Sequence, residues 1–390
     1  MPHNQYNFDI VTPRQHTNSY KWDSATNPDV IPLWVADMDF CTAPAVQEAI
    51  MKRAQHGIYG YVSVPGEYYN ALTQWFAHRH GWTIDAQNVI YTTGVVPAIS
   101  AIIKAVTLPG EKVLVQTPVY NCFFSSIHNN GCQIAENRLI LRNNRYEIDF
   151  ADFEKQASDP KVRAFLLCNP HNPVGRVWSK DELEMMAHIC LKHNVFIIAD
   201  EIHCELVFSP HRYTPLGTLG TNIEQHAAIC TSPSKAFNIA GLQIANIVAV
   251  DDNIRQRIDR AININEVCDV NPFGVEALIA AYTYGEDWLE ALLEYIYANY
   301  LFTTDFISKN IPALNTIELE GTYLLWVDCS AWHISSEELE KQLLKEAHLW
   351  LNAGSMYGSA GEGFMRINMA CPRTTLTTAL QRLASFGLKF

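Results

Sequence analysis

Between residues 44 and 284, short apolar runs alternate with amphipathic stretches, and several runs are apolar throughout rather than at every second position. The runs are Val89-Ile90-Tyr91, Lys112 to Val115, Ala164 to Leu167, Val195 to Ala199, Ala227 to Cys230 and Ile244 to Val250. A strand carries a continuous apolar run when both faces of its sheet are covered, as in a parallel sheet packed between helices. The intervening stretches, such as Pro97 to Val106 and Lys180 to His193, read as those helices. The expectation is an α/β fold, with a large domain over residues 44–284 whose sheet is mostly parallel. After residue 285 the pattern changes to a long helical stretch, Glu286 to Lys309, followed by two runs, Tyr323 to Val327 and Phe364 to Asn368, and two helical segments. This reads as a smaller α+β domain over residues 285–390. Residues 1–43, rich in Asn, Asp, Pro and aromatics, read as an arm that joins it.

With 390 residues, 48% of them apolar, the chain can bury a sizeable core in two domains. A formal charge of -13, with no block of basic residues, argues against nucleic acid or an anionic membrane as partner. Ten cysteines are scattered without a C-x-x-C pair, which reads as free thiols in a reducing compartment and no zinc site. The first residues, Met1-Pro2-His3-Asn4-Gln5-Tyr6, lack a basic stretch leading into an apolar one, so no signal peptide is expected. No apolar run approaches the roughly 18 residues of a membrane span. Together these features place the protein in the cytoplasm.

In an open α/β sheet, ligands bind in the crevice outside the carboxyl ends of the strands. Four runs end there in suggestive residues. Val89-Ile90-Tyr91 leads through Thr92-Thr93 into Gly94-Val95-Val96 and a helix start, a place for a phosphate, although a plain strand-to-helix turn reads the same way. Ala164 to Cys168 leads into Asn169-Pro170-His171-Asn172-Pro173, where two Asn-Pro pairs stiffen the loop and can aim an amide inward. Val195 to Ala199 leads into Asp200-Glu201-Ile202-His203, and a carboxylate at the end of a buried strand needs a cation beside it. Ala227 to Cys230 leads into Ser232-Pro233-Ser234-Lys235, a lysine among hydroxyls suited to bond an aldehyde cofactor as a Schiff base. Taken alone, that last loop is equally an ordinary solvated turn.

One cofactor, pyridoxal 5'-phosphate, accounts for all four. Its protonated ring nitrogen supplies the cation for Asp200, and a ring kept protonated by an anion is the electron sink for chemistry at a substrate Cα. Gly94, Val95 and Val96 with Ser232 and Ser234 would hold the phosphate, Asn172 the ring hydroxyl and Lys235 the aldehyde. Tyr120, in Pro118-Val119-Tyr120, is placed to stack on the ring, or else is a core aromatic. In Gly363-Phe364-Met365-Arg366-Ile367-Asn368, the buried arginine would receive a substrate carboxylate through its planar fork, or form an internal salt bridge.

Read in order, Tyr61, Gly94, Tyr120, Asn169-Pro170-x-Asn172-Pro173-x-Gly175, Asp200-x-x-His203, Ser232-x-Ser234-Lys235 and Arg366 resemble the class I/II aminotransferase superfamily, the fold-type I pyridoxal-phosphate enzymes. Trp34-Val35-Ala36-Asp37-Met38-Asp39-Phe40, His56 to Tyr61, Gly321 to Asp328 and the string ending at Arg373 are similar to its cystathionine β-lyase (MalY/PatB) branch. The resemblance implies a seven-stranded, mostly parallel sheet in the large domain. It also implies that Lys235 is the Schiff-base lysine and that Asp200, Asn172, Tyr120 and His203 surround the ring. Arg366 would then anchor the substrate carboxylate with Asn172 beside it, and Tyr61 would reach the partner subunit's phosphate in a homodimer with shared active sites. Two positions depart from the superfamily pattern. Gln243 stands eight residues after the lysine, where typical aminotransferases carry an arginine on the phosphate, and His203 replaces a frequent tyrosine.

The activity implied is β-elimination from an amino acid bearing a cysteine thioether or disulfide, such as cystathionine, cystine or another S-conjugate, releasing pyruvate, ammonia and a thiol. Transamination of an L-amino acid is the alternative, and Gln243 with the Trp34–Phe40 string favours the lyase. A third reading, a regulatory binding protein on the same fold, predicts decay of the chemical set, yet Lys235, Asp200, Asn172 and Arg366 are all present. No metal site is expected.

Overall fold

The computed structural model describes residues 6–390 apart from 265 and 267; the first five residues, on which the expectation about the N-terminus rests, lie outside the described residues. Its main sheet has seven strands in the spatial order Val89–Thr92, Ala245–Val248, Ala227–Thr231, Phe196–Asp200, Val162–Cys168, Lys112–Thr117 and Gln133–Arg138. All run parallel except Ala245–Val248, which pairs antiparallel with both its neighbours.

The apolar runs follow from this layering. In Val162–Cys168, Phe165 and Leu167 point into one buried cluster while Ala164, Leu166 and Cys168 point into another on the opposite face. Phe196–Asp200 does the same, with Ile197 and Ala199 on one side and Ile198 on the other. Successive strand side chains alternate faces, so an all-apolar run means apolar packing on both. The Val95–Val106 helix supplies Ile99, Ile102 and Ile103 to the second cluster. Lys180–Lys192, by contrast, starts with a full capping box between Ser179 and Glu182 and keeps only one face buried.

A second, antiparallel sheet in the order Asn315–Thr316, Leu324–Asp328, Phe364–Asn368 and Asn352–Ala353 follows the 25-residue helix Glu286–Asn310. The N-terminal segment joins this part of the molecule. Ile31–Pro32 pairs in parallel with Leu349–Trp350, and Asn368 N donates to Leu33 O at 2.9 Å. From there residues 34–40 cross to the main sheet, where Met38 N donates to Asn238 Oδ1 at 2.9 Å. No helix among the described residues is long and apolar enough to cross a membrane.

The six runs named above each coincide with a main-sheet strand, while Gln133–Arg138 is the seventh and lies at the edge. Its sequence, Gln-Ile-Ala-Glu-Asn-Arg, carries four polar residues in six, so the apolar criterion passes over it. Expected and observed bounds otherwise differ by a few residues, as at Ile244 to Val250, where only Ala245–Val248 is strand.

The second sheet also fixes a tight turn at the site. Gly354 begins the short 3-10 turn Gly354–Tyr357, and a Cβ there would collide with the carbonyl oxygens of Gly361 and Phe364. Because both obstacles are backbone, Gly354→Ala is expected to destabilise the fold by about 3 kcal/mol. Urea unfolding checks this through a lower midpoint at unchanged slope; a midpoint equal to wild type would show that the backbone yields without strain.

Candidate active site

The carboxyl ends of the parallel strands converge on a cavity of about 490 Å³. Gly94, Val95, Val96, Tyr120, Asn172, Asp200, His203, Ser234, Lys235 and Arg366 all line it. The fold thus gathers residues more than 270 positions apart in sequence, from both sheets. Ser232 sits behind the wall rather than on it: its Oγ donates to Ile244 O at 2.6 Å and accepts from Ser234 N at 3.1 Å, shaping the loop that carries Ser234 and Lys235. Tyr61 is not brought to this chain's own cavity; it is 95% exposed.

Gly94 is the N-cap of the Val95–Val106 helix and provides no side-chain cap. The first intrahelical bond is Ala98 N to Gly94 O at 3.0 Å, so the amides ahead of it are left for a ligand, at the positive end of the helix. Ser234 flanks the same cavity.

Three ionisable groups set the electrostatics. Lys235 is partly buried, and desolvation of its amine, with the Arg366 cation, lowers it to about 8, against the pull of Asp37 and Asp200. Its Nζ donates to Ala36 O at 2.7 Å. Asp200 closes its strand; burial pushes its carboxyl up to about 7, against a backbone bond from Ile202 N at 3.1 Å and the charge of Lys235. Among the described residues no cation lies within ion-pair distance of it. His203 is held well below its usual range by burial and then by Lys235 and Arg366, so its imidazole is neutral; its Nδ1 has no partner.

Arg366, on the Phe364–Asn368 strand, forms no internal salt bridge among the described residues. Nη1 donates to Asn172 Oδ1 at 3.1 Å, Nη2 to Trp34 O at 2.7 Å, and Nε is buried without a partner. Its guanidinium lies over the Tyr357 ring, 5.1 Å from the centroid. With Oδ1 occupied by Arg366, the amide nitrogen of Asn172 is oriented to donate elsewhere.

A buried carboxylate without a protein cation, an arginine without a protein anion and uncapped helix amides together form a donor set that one ligand would have to satisfy. A ligand with a phosphate, a protonated ring nitrogen and an aldehyde, joined by a substrate carboxylate, satisfies each of them. Pyridoxal phosphate fits this donor set.

The sequence motifs passed over several contributors. Tyr323, Asn352 and Tyr357 shape the wall and its supports, and Trp34 and Ala36 act through backbone carbonyls. The Trp34–Phe40 and Gly321–Asp328 strings were legible as family marks, but a carbonyl acceptor leaves no trace in residue type.

Comparison with known proteins agrees with the geometry. The model of the family described as aminotransferase class I and II matches residues 28–383. Cystathionine beta-lyase PatB of Bacillus subtilis (strain 168) is 39% identical over 97% of this chain and 98% of its own length. Among solved structures, cystalysin from Treponema denticola, which contains a pyridoxal 5'-phosphate cofactor, is 33% identical with a TM-score of 0.95, over 98% of this chain and 99% of its own. The pyridoxal-phosphate-bound C-S lyase from Staphylococcus hominis is 32% identical with a TM-score of 0.92, over the same shares of the two chains.

Asp200 offers a test of the cavity's electrostatics in the cofactor-free protein. Its folded-state affinity for a proton exceeds that of the unfolded chain, so ionising it weakens the fold increasingly as pH rises from the usual carboxylate range to about 7. Asp200→Asn keeps an acceptor for Ile202 N and removes the charge. It should therefore stabilise the cofactor-free protein by about 2 kcal/mol at pH 8 and lose most of that gain near pH 4. Denaturant midpoints at the two pH values check this; a variant no more stable than wild type at pH 8 would mean that Asp200 already has a counter-charge.

Proposed function

The chain belongs to the class I and II aminotransferase family, and we propose that within it this protein is a pyridoxal-phosphate-dependent carbon–sulfur β-lyase acting on cysteine thioethers or disulfides. The observation that carries the choice of lyase is Gln243. It lies on the cavity wall with Ser234, in a left-handed turn after the Ala240–Leu242 3-10 segment, and brings an amide where a phosphate-binding arginine would add a charge. The names of PatB and of the Staphylococcus hominis structure support the same reading.

Each residue's part follows from its surroundings. The amides of Val95 and Val96 with the Ser234 hydroxyl would hold the phosphate. Asp200 would pair with the ring nitrogen, which would restore the counter-charge its burial demands. Asn172, its oxygen taken by Arg366, would donate to the ring hydroxyl, and Tyr120 would pack against the ring. Arg366 receives the substrate α-carboxylate on its free edge, braced by Trp34 O and Tyr357. The cofactor supplies, when bound, a place for the electron pair left at Cα. Lys235, its amine lowered to about 8 and so able to be neutral in the working range, removes the Cα proton and holds it beside the departing sulfur. With one water, the products are thiol, pyruvate and ammonia.

The cavity then lies between a large domain, residues 44–284, and a small one, 285–390, to which the arm 1–43 belongs. A second copy of the chain completes the site. Ile58, Tyr59 and Tyr61 form an exposed apolar stretch, and covering it in a homodimer carries Tyr61 toward the partner's phosphate position. The free cysteines fit a reducing, cytoplasmic setting.

Incubation of the purified holoenzyme with L-cystathionine, with and without a 2-oxo acid acceptor, tests the reading. Pyruvate and free thiol should appear without acceptor; turnover only in its presence would make the protein a transaminase. Lys235→Ala should lower kcat by about 10³-fold in the same assay.

A further inference from the structure

Lys235 and Arg366 come from different sheets, yet each donates to a carbonyl of the same irregular segment, two residues apart. Lys235 Nζ binds Ala36 O and Arg366 Nη2 binds Trp34 O, both at 2.7 Å. Each of these carbonyls also accepts from a neutral, buried side chain: Ala36 O from the Tyr323 hydroxyl and Trp34 O from Asn352 Nδ2, both at 2.9 Å. The carbonyls between and after them, Val35 O and Asp37 O, are held by Asn368 Nδ2 at 2.6 Å.

A carbonyl oxygen has two acceptor directions, and here one is given to a group that works and the other to a group that does not. The division matters because Lys235 must leave Ala36 O to bond the cofactor and return as a free amine. While it is away, the Tyr323 hydroxyl still fixes the carbonyl. Burial raises the Tyr323 phenol, so this group stays a donor over the working pH range. On its return, an amine that gives one N–H to a fixed acceptor has its lone pair aimed. Asn352 does the matching work for Arg366. The same amide nitrogen also donates to the Tyr357 hydroxyl at 2.9 Å, and Tyr357 is the ring beneath the guanidinium.

We propose that Tyr323 and Asn352 are positioning residues, Tyr323 holding the carbonyl that aims the Lys235 amine and Asn352 the carbonyl and ring that aim the Arg366 guanidinium. This rests on the roles given to Lys235 and Arg366 above. The two residues touch the same segment but serve different steps, so their loss has opposite kinetic signatures.

In the holoenzyme acting on L-cystathionine, Tyr323→Phe should lower kcat about tenfold with KM unchanged within about twofold, because proton transfer is mis-aimed. Asn352→Ala should raise KM about tenfold with kcat nearly kept, because carboxylate binding is weakened. A readout that needs no turnover accompanies these. Reconstitution of the cofactor-free protein with pyridoxal phosphate, followed by visible absorbance, should be about tenfold slower in Tyr323→Phe, whose lysine attacks the aldehyde from a looser position, and unchanged in Asn352→Ala. Wild-type constants in both variants, or parallel losses in kcat, KM and melting temperature in both, would overturn the proposal. A Lys235→Ala arm separates the two levels. If that variant turns over at the wild-type rate, the lysine's role fails and the inference with it; if it loses about 10³-fold in kcat while Tyr323→Phe matches wild type, the inference alone fails.

Discussion

An ionised carboxylate at the end of a central buried strand cannot persist without a counter-charge, and Asp200 is placed at that position. Strand Phe196–Asp200 lies in the middle of the main sheet, where the Asp200 side chain is nearly fully buried and no basic residue pairs with it among the described residues. The rest of the site can be understood as the completion of this one incomplete interaction. Asp200, the Val95–Val106 helix start and Lys235 line one cavity, so a ligand bringing a protonated ring nitrogen to Asp200 would have the helix start and the lysine within the same cavity for a phosphate and an aldehyde. The parallel strands end together, and so one rigid ring spans what several separate loops supply.

The second dependency is mechanical. Residues 34–40 have no regular secondary structure, yet their backbone is held from both sides. Asn238, three residues after Lys235, donates to Met38 O and Phe40 O at 3.0 and 2.8 Å. On the far side Asp39 is buried and accepts from Arg14 at 2.7 Å, Lys21 at 3.0 Å and Trp22 at 2.8 Å. Lys21 is itself fully buried, so neither charge has an alternative in water, and the arm and the segment fix each other. An acid-rich motif that marks the family in sequence thus has a structural use: it anchors the segment whose carbonyls at Trp34 and Ala36 accept from Arg366 and Lys235.

Much of this was legible in the residues. Strands covered on both faces declare themselves by unbroken apolar runs, and polar residues immediately after such runs point to the crevice, which is how Asp200, Asn172 and Lys235 were found. Gln133–Arg138 was not legible, because an edge strand with four polar residues in six reads like a loop. Ser232 was placed among the phosphate groups, but its hydroxyl is spent on Ile244 O and on its own loop. Asn352 and Tyr357 left no signal of function in residue type, and Tyr323 was marked only as part of the Gly321–Asp328 string, with no role attached. Their importance comes from the carbonyls they face, which only the fold brings near. Tyr61 is the reverse case: its motif is plain in sequence, while the fold of this chain leaves it exposed and away from the cavity.

The most direct measurement locates the lysine that carries the cofactor. Borohydride reduction of the holoenzyme converts the lysine–cofactor bond to a stable secondary amine, and peptide mass mapping then finds the added mass. It should fall on the peptide containing Ser232-Pro233-Ser234-Lys235, at Lys235 and nowhere else. A label on any other lysine, or none at all, would contradict the assignment on which the chemistry of the cavity rests.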